Sequence, residues 1–174
     1  YSTVIEMHWL LIALILGQSV LWVAVFSMLI SHAIVSASFF LIVDMLTRRF
    51  KTRLVSEVKS VFYVLPNLYV QALYWNLIIL GFPGTLLFVS EMVFFTFLLD
   101  INFILFLIVF FLTYLVASVF FFKNWFLTLF NYSYSLIIKL NNQSVDLEFK
   151  EFLILLSLLT VIFYLSLSIQ FFSF

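Results

Sequence analysis

The sequence predicts an all-α membrane protein, a polytopic bundle of about six transmembrane helices with one further amphipathic helix at the membrane interface. Of its 174 residues, 66% are hydrophobic and only 9% are charged, whereas soluble domains are nearer half apolar and a quarter charged. A soluble fold of this size could not bury so much apolar surface, because much of a small globule faces water. The apolar residues also fall in stretches of roughly 20, the length that crosses a hydrocarbon core of about 30 Å.

Charge and cysteine content exclude several other classes of function. The formal net charge is +0, so electrostatics gives no reason to expect a nucleic acid partner. The sequence has no cysteine, which excludes a disulfide framework, an iron–sulfur cluster and thiol chemistry on this chain. We therefore expect no cofactor and no metal on this chain, and lipid as a contact. Phenylalanine provides 25 residues, a bias that the T-rich codons of an AT-rich organelle genome would produce.

Six apolar stretches are the predicted spans of a single transmembrane domain that covers residues 1–174. They are residues 1–16, 20–43, 61–80, 84–99, 103–122 and 152–172. They are separated by residues 17–19, by the charged segment 44–59, by the break at 81–84, by a turn at 100–102 and by the segment 123–151. Gly81 suits the end of the third span, and Pro83 suits the first turn of the fourth, because proline lacks the backbone donor that an interior turn needs.

The segment between the fifth and sixth spans is predicted to contain the interfacial helix, at about residues 125–140. It mixes aromatic and polar residues, and tryptophan and tyrosine favour the membrane–water interface. Residues 141–151 are the polar loop that follows. Basic residues cluster at 48–59 and recur at Lys123, Lys139 and Lys150, and six spans would place these two groups on opposite sides of the membrane.

Three ionisable residues, Glu6, His32 and Glu91, lie inside predicted spans. His32 is roughly 16–18 Å from either end of its span, Glu91 about 12 Å past Pro83, and Glu6 about 16 Å before Gly17, at the usual rise per residue. All three therefore lie near mid-membrane. A charged side chain there costs about 2.5–3.5 kcal/mol on insertion scales, so such residues usually face the bundle interior and mark ion or proton pathways.

Two of these residues also have a purely structural interpretation. His32 could be a hydrogen-bonded packing residue, and Glu6 could face water near the start of the chain. An intramembrane glutamate with no structural use would be selected away, which favours a functional role for Glu91. Polar side chains also form a stripe along each of two spans. Such a stripe either forms hydrogen bonds with neighbouring helices or lines a file of water molecules. The stripes are Ser27, Ser31 and Ser38, with His32 and Ser36 on an adjacent face, and Tyr63, Asn67, Gln71 and Tyr74. Ala33 and Ala37 form a small-residue pair that lets a neighbouring helix approach closely.

Three strings occur in one order along the first half of the chain. They are YSTVIEM at 1–7, SHAIVSASFF at 31–40 followed by RRFKTR at 48–53, and GFPGTLLFVSE at 81–91. Together they resemble the subunit 4 family of the proton-pumping NADH dehydrogenase, respiratory complex I. Its patterns are Tyr-Ser-Ser-x-x-His-Met, a His-Gly-Leu-Val-Ser-Ser-like segment with a basic Arg-x-x-(His/Lys)-Thr-Arg loop, and Gly-x-Pro-Gly-Thr-x-x-Phe-x-Gly-Glu. The resemblance covers residues 1 to about 92.

The resemblance implies an antiporter-like, multi-pass subunit of the mitochondrial inner membrane that carries no redox cofactor. Glu91 would end the family's midplane chain of charged residues, and His32 would belong to that chain. Glu6 stands where the family usually has histidine, and Ala33 and Ser90 stand where it usually has glycine. These departures leave the role of Glu6 open.

The resemblance also implies particular partners. The family's intramembrane lysines have no counterpart here, because no lysine lies inside a predicted span. The chain therefore resembles the C-terminal part of the subunit. The N-terminal half, with its intramembrane lysine, is expected from a separate chain or is absent. Other membrane subunits of complex I are the remaining expected partners.

Two other functions fit the same residues. One is a subunit of a cation/proton antiporter, a class that shares this fold but typically differs in the His segment and lacks the RRFKTR loop. The other is a structural membrane scaffold that moves no protons. The presence of Glu91 and His32 argues against the scaffold, since a scaffold would gain stability by losing them.

Overall fold

The computed structural model describes residues 2–17, 19–54, 57–59, 61–130 and 146–172, and over these ranges the chain is helical and contains no strand. The helices are α1 (Ser2–Leu16), α2 (Ser19–Phe50), α3 (Val61–Val64), α4 (Pro66–Ile79), α5 (Leu86–Ile101), α6 (Phe103–Phe120), a π-helical turn (Phe121–Phe126), α7 (Leu127–Phe130) and α8 (Phe149–Phe172). The all-α membrane bundle predicted from the sequence is thereby confirmed.

The break between α4 and α5 has the backbone that its sequence predicts. Gly81 and Gly84 have φ angles of +78° and +92°, in the left-handed region that suits glycine. The side chain of Thr85 then caps α5, because its oxygen accepts a hydrogen bond from the amide of Phe88 at 3.3 Å. The new helix therefore begins at Leu86, just after the predicted Gly-Phe-Pro-Gly break.

Two apolar cores lie along α2, the longest helix, which measures about 48 Å at the usual rise. The first, called here the α4 core, includes Val35, Ile42 and Met45 of α2, Leu68 and Trp75 of α4, and Leu155 and Ile162 of α8. The second, called here the α5 core, includes Leu21, Val25 and Met28 of α2, Trp9 and Ala13 of α1, and Phe94 and Leu98 of α5. Helices α4 and α5 therefore pack on successive stretches of α2.

This packing places the break beside the middle of α2, at the level of the segment between Met28 and Val35. Helices α4 and α5 are about 21 and 24 Å long, so each is shorter than a hydrocarbon core of about 30 Å. The arrangement favours one interrupted crossing over the two separate spans predicted for residues 61–80 and 84–99. A local sequence cannot separate the two cases, because both need glycine and proline at the same positions.

Within the described residues, three helices are long and apolar enough to cross a membrane unaided: Leu21–Phe50, Phe103–Phe130 and Phe149–Ser168. The second of these runs from α6 through the π-helical turn into α7, so it continues past the predicted end at residue 122. Residues 125–130 of the predicted interfacial helix belong to it, and residues 131–140 lie outside the described part. The predicted total of six crossings stays a prediction.

Hydrogen bonds connect Asp146 and α8 with the first turn of α4 and with the break that follows α4. The carboxylate of Asp146, just before α8, accepts hydrogen bonds from the amides of Asn67 at 2.8 Å and Leu68 at 3.3 Å, in the first turn of α4. The hydroxyl of Ser166 donates to the backbone carbonyl of Gly84 at 2.5 Å, at the break that follows α4. These contacts fix the level of the break relative to α8.

One expectation about charge is corrected here. Arg48 and Arg49, at the end of α2, both form ion pairs with Glu151, in the first turn of α8. On the same side, Trp125 packs its ring against Phe39 at 5.3 Å between centroids. The segments that follow the second and fifth predicted spans therefore meet at one end of the bundle. These contacts do not fit the expectation of opposite sides, which depended on counting α4 and α5 as two crossings.

Candidate functional site

The first part of the site is a contact between a carboxyl group on α1 and an imidazole on α2. An oxygen of the Glu6 carboxylate contacts Nδ1 of His32, and the two side chains are only 10% and 16% exposed. On the other side of the ring, Nε2 of His32 lies 3.2 Å from the hydroxyl oxygen of Ser36. That hydroxyl donates to the backbone carbonyl of His32 at 2.7 Å, so its oxygen is free to accept from Nε2. Both ring nitrogens thus have a hydrogen-bond partner.

The second part of the site surrounds Glu91 on α5. The hydroxyl of Tyr114, on α6, donates a hydrogen bond to Oε2 of Glu91 at 3.3 Å. Gly81 lies against the same carboxylate, because a β-carbon built on it would be 2.9 Å from Oε2 of Glu91 and 3.4 Å from the Tyr114 hydroxyl. The carboxylate of Glu91 therefore points back toward the break, and the absence of a side chain at Gly81 makes room for it.

The two parts belong to one electrostatic unit. The carboxylate of Glu91 interacts through space with that of Glu6, so a change of charge at one is felt at the other. Both parts lie where the α4 core ends and the α5 core begins. All three residues predicted from the sequence, Glu6, His32 and Glu91, are therefore close in space.

Two residues of this arrangement were not singled out from the sequence as site residues. Tyr114 is the tyrosine of α6, a helix otherwise rich in aliphatic residues and phenylalanine apart from Thr113, Ala117 and Ser118, and its hydroxyl was the available signal. Gly81 was predicted to end a helix, and the structure places it just after α4. Its contact with Glu91 depends on the direction that α5 takes after the break, which the sequence does not give. Ser36 was placed beside His32 by its spacing, and the hydrogen bonds confirm that placement.

The polar stripes have different outcomes. Ser27, Ser31 and Ser38 are buried and donate to carbonyls of their own helix, so they are satisfied within α2. On α4, Gln71 is 4% exposed, and its Oε1 has no hydrogen-bond partner among the described residues. It faces a cavity between α4 and α8 of about 300 Å³. Most of the lining is apolar, from residues such as Leu77, Phe82 and Leu159, so the Gln71 oxygen is an isolated acceptor in its wall.

Taken together, these features define a helical membrane protein with titratable side chains held in its interior, at an interruption of a helix. The chain belongs to the NADH:quinone oxidoreductase/Mrp antiporter transmembrane family, whose match covers residues 1–117. The match extends past the region that the three sequence strings cover, into α6 and the position of Tyr114.

Two curated relatives carry the same printed name, NADH-ubiquinone oxidoreductase chain 4. The chain is 31% identical to the protein from Paramecium tetraurelia over 130 residues, which are 75% of this chain and 27% of that protein. It is 36% identical to the protein from Chondrus crispus over 64 residues, which are 37% of this chain and 13% of that protein. The matched segments thus span about a quarter or less of the curated relatives. The resemblance to the complex I family drawn from the sequence is confirmed.

Proposed function

We propose that this chain is a membrane-arm subunit of a proton-pumping NADH:ubiquinone oxidoreductase in the mitochondrial inner membrane. The printed names of both relatives and the family match support this assignment. The observation that supports the proton role is the set of Glu6, His32 and Glu91, in which Glu6 contacts His32 and Glu91 lies against the helix break. Polar residues at that depth are costly and are kept where ions or protons move.

The Glu6–His32 pair can pass a proton without moving either helix. A proton on the Glu6 carboxyl transfers to Nδ1 of His32, which leaves a carboxylate and an imidazolium in contact. The imidazolium then holds its second proton on Nε2, toward the oxygen of Ser36. Loss of a proton from Nε2 to an acceptor beyond Ser36 returns the ring to its neutral form. The pair therefore acts as a single relay position between α1 and α2.

Glu91 forms the second proton-binding position. Its carboxylate lies within electrostatic range of that of Glu6, so the charges at the two positions influence each other. The two positions are thereby coupled without direct contact. The Tyr114 hydroxyl and the open side of Gly81 hold the carboxylate in place while it gains and loses the proton.

A basic partner for Glu91 is proposed to come from a separate chain. Among the described residues, the ion pairs join Glu6 with His32 and the α2 arginines with acidic residues, and none of them involves Glu91. Ala33 and Ala37 are exposed on α2, so another helix can approach closely there. A lysine carried by that helix would stabilise ionised Glu91 when near it and neutral Glu91 when withdrawn.

A cation/proton antiporter is the second candidate function, because the family description names both classes. The same three residues would then exchange protons against a metal cation. The oxidoreductase assignment is preferred because both relatives bear its name. No redox chemistry is proposed on this chain itself. It has no cysteine to hold an iron–sulfur cluster and only two histidines. One of these, His8, forms a hydrogen bond with the backbone of its own helix.

The test is purification of the chain from its own membranes through an affinity tag in mild detergent. We expect other membrane subunits of complex I to copurify, together with quinone reductase activity supported by NADH. Vesicles that contain the assembly should acidify or alkalinise on addition of NADH and quinone. The antiporter function would be established by two results together. The chain would copurify with antiporter subunits, and a Na⁺ gradient instead of NADH would drive proton movement.

A further inference from the structure

A cavity of about 270 Å³ opens at the end of the bundle where α2 finishes. Its apolar wall comes from α2, the loop that follows and the π-helical turn, namely Val43, Leu46, Val58 and Trp125. Its polar edge carries hydroxyl, amide and guanidinium groups from Thr47, Thr52, Arg53, Asn124 and Thr128. An apolar interior with a polar, basic edge has the amphipathic character of a phospholipid.

Arg53 distinguishes this cavity from an ordinary gap between helices. Its side chain is exposed, and the ion pairs formed by the described residues engage Arg48 and Arg49 on the same segment and leave Arg53 out. A guanidinium without an acidic partner favours a phosphate, which it can bind through two parallel hydrogen bonds. The charge at the edge is therefore complementary to an anionic headgroup.

The position of the cavity is also that of a lipid headgroup. Val43 ends the apolar stretch of α2, and the charged segment begins at Asp44. Trp125 lines the wall at the same level, and tryptophan concentrates at the headgroup region of a bilayer. Basic pockets between transmembrane helices at this level are known sites for anionic lipid headgroups.

We infer that this cavity binds one anionic phospholipid, with its phosphate on Arg53 and the upper part of an acyl chain against Val43, Leu46 and Trp125. The inference is independent of the proton path, because none of these residues contacts Glu6, His32 or Glu91. An acidic group near the edge is Glu57, which accepts a hydrogen bond from Thr52. Removal of that charge should strengthen the binding of an anion.

The experiment uses the intact membrane assembly that contains this chain, in vesicles doped with photoactivatable lipids. One probe is a phosphatidylglycerol and the other a phosphatidylcholine, each with a diazirine near the start of an acyl chain. After illumination, the labelled peptides of this chain are located by mass spectrometry. We expect the anionic probe to label the segments around Val43 and Trp125 about fivefold more than the zwitterionic probe, the effect of one basic side chain on anionic lipid.

Variants then test the role of the guanidinium. Arg53→Gln should remove the preference for the anionic probe, Arg53→Lys should keep part of it, and Glu57→Gln should increase it. Lys150→Gln removes a basic residue that does not line the cavity and should leave the labelling unchanged. Equal labelling by the two probes in the unmodified assembly would overturn the proposal without any variant, and so would an unchanged preference in Arg53→Gln.

Discussion

A β-carbon on Gly81 would lie 2.9 Å from Oε2 of Glu91, closer than a real β-carbon comes to an oxygen. The glycine that ends one half of the interrupted helix therefore provides the space that the acidic side chain of the other half occupies. This relationship connects the conformation of the break with the chemistry proposed for it.

We predict that Gly81→Ala displaces the Glu91 carboxylate and lowers proton translocation severalfold. Its backbone also has φ +78°, which costs an L-residue about 1–2 kcal/mol. Gly84→Ala is the matched control, because Gly84 also has a positive φ of +92° while its β-carbon would meet only the ring of Phe163 at 3.7 Å. Proton translocation is measured in vesicles at equal amounts of assembled complex. If both variants lost proton translocation equally, the cause would be backbone strain and not the displacement of Glu91.

Glu91→Gln keeps the shape of the side chain and removes its titration. We expect it to lower proton translocation and the coupled quinone reductase activity about a hundredfold or more, the scale on which a positioned proton-transfer group acts. Glu91→Asp should retain part of the activity. Glu148→Gln, at an exposed carboxylate, is the control. Full proton translocation by an assembled Glu91→Gln complex would show that Glu91 is structural and would favour the scaffold.

The Glu6–His32 pair is tested as a pair. His32→Ala should lower the number of protons moved per NADH while the complex still assembles. Glu6→Gln should do the same, and the double variant should lose little more than either single one, because residues that act as one unit are not additive. Glu6→His restores the residue usual in the family and should retain partial function. Failure of His32→Ala to assemble would instead support a packing role for His32.

Tyr114→Phe removes the hydroxyl that donates to Glu91 at 3.3 Å. We expect a smaller decrease in proton translocation than in Glu91→Gln, since the carboxylate remains and loses one neutral hydrogen bond, worth about 1 kcal/mol. Tyr164→Phe is the matched control, because its side chain is 72% exposed. Initial rates of proton movement over a range of pH provide the measurement. A Tyr114→Phe profile that coincides with that of the unmodified complex would exclude any role of the hydroxyl.

Arg49→Gln is predicted to destabilise the assembly by about 2–3 kcal/mol. Arg49 is 12% exposed and pairs with Glu151 at 13%, and its loss leaves the largely buried Glu151 carboxylate with only the exposed Arg48 as a cationic partner. It also donates to the backbone carbonyl of Asp146 at 3.2 Å, next to the carboxylate that caps α4. Arg48→Gln is the control, since Arg48 is 59% exposed and exposed pairs contribute about 1 kcal/mol or less. Thermal unfolding of the purified assembly compares them, and equal melting temperatures would contradict the prediction.

The sequence predicts the membrane class and the position of the helix break, because both depend on local chemistry. Apolar stretches reveal the helices, and glycine with proline reveals the interruption. The contact between Glu6 and His32 could not be predicted in the same way. Those residues are 26 positions apart on different helices, and depth in the membrane shows only that they lie at one level.

The level of the break was the main point that local sequence could not settle. Gly81 and Pro83 permit either a turn at the membrane surface or an interruption inside it, and the choice depends on which part of α2 the following helix packs against. The contact between Tyr114 and Glu91 also depends on long-range packing, because the two residues lie on different helices, α6 and α5. Long-range packing, rather than any residue pattern, decides both.

The position of the break between the two apolar cores has a consequence for the packing around it. Ser166 of α8 donates to the carbonyl of Gly84, and Leu86, the first residue of α5, is buried in the α4 core. The start of α5 is therefore tied to the α4 core, whereas the rest of α5 packs with α1 in the α5 core. A substitution that shifts the break would disturb both cores at once, so the backbone from Gly81 to Thr85 should tolerate little change.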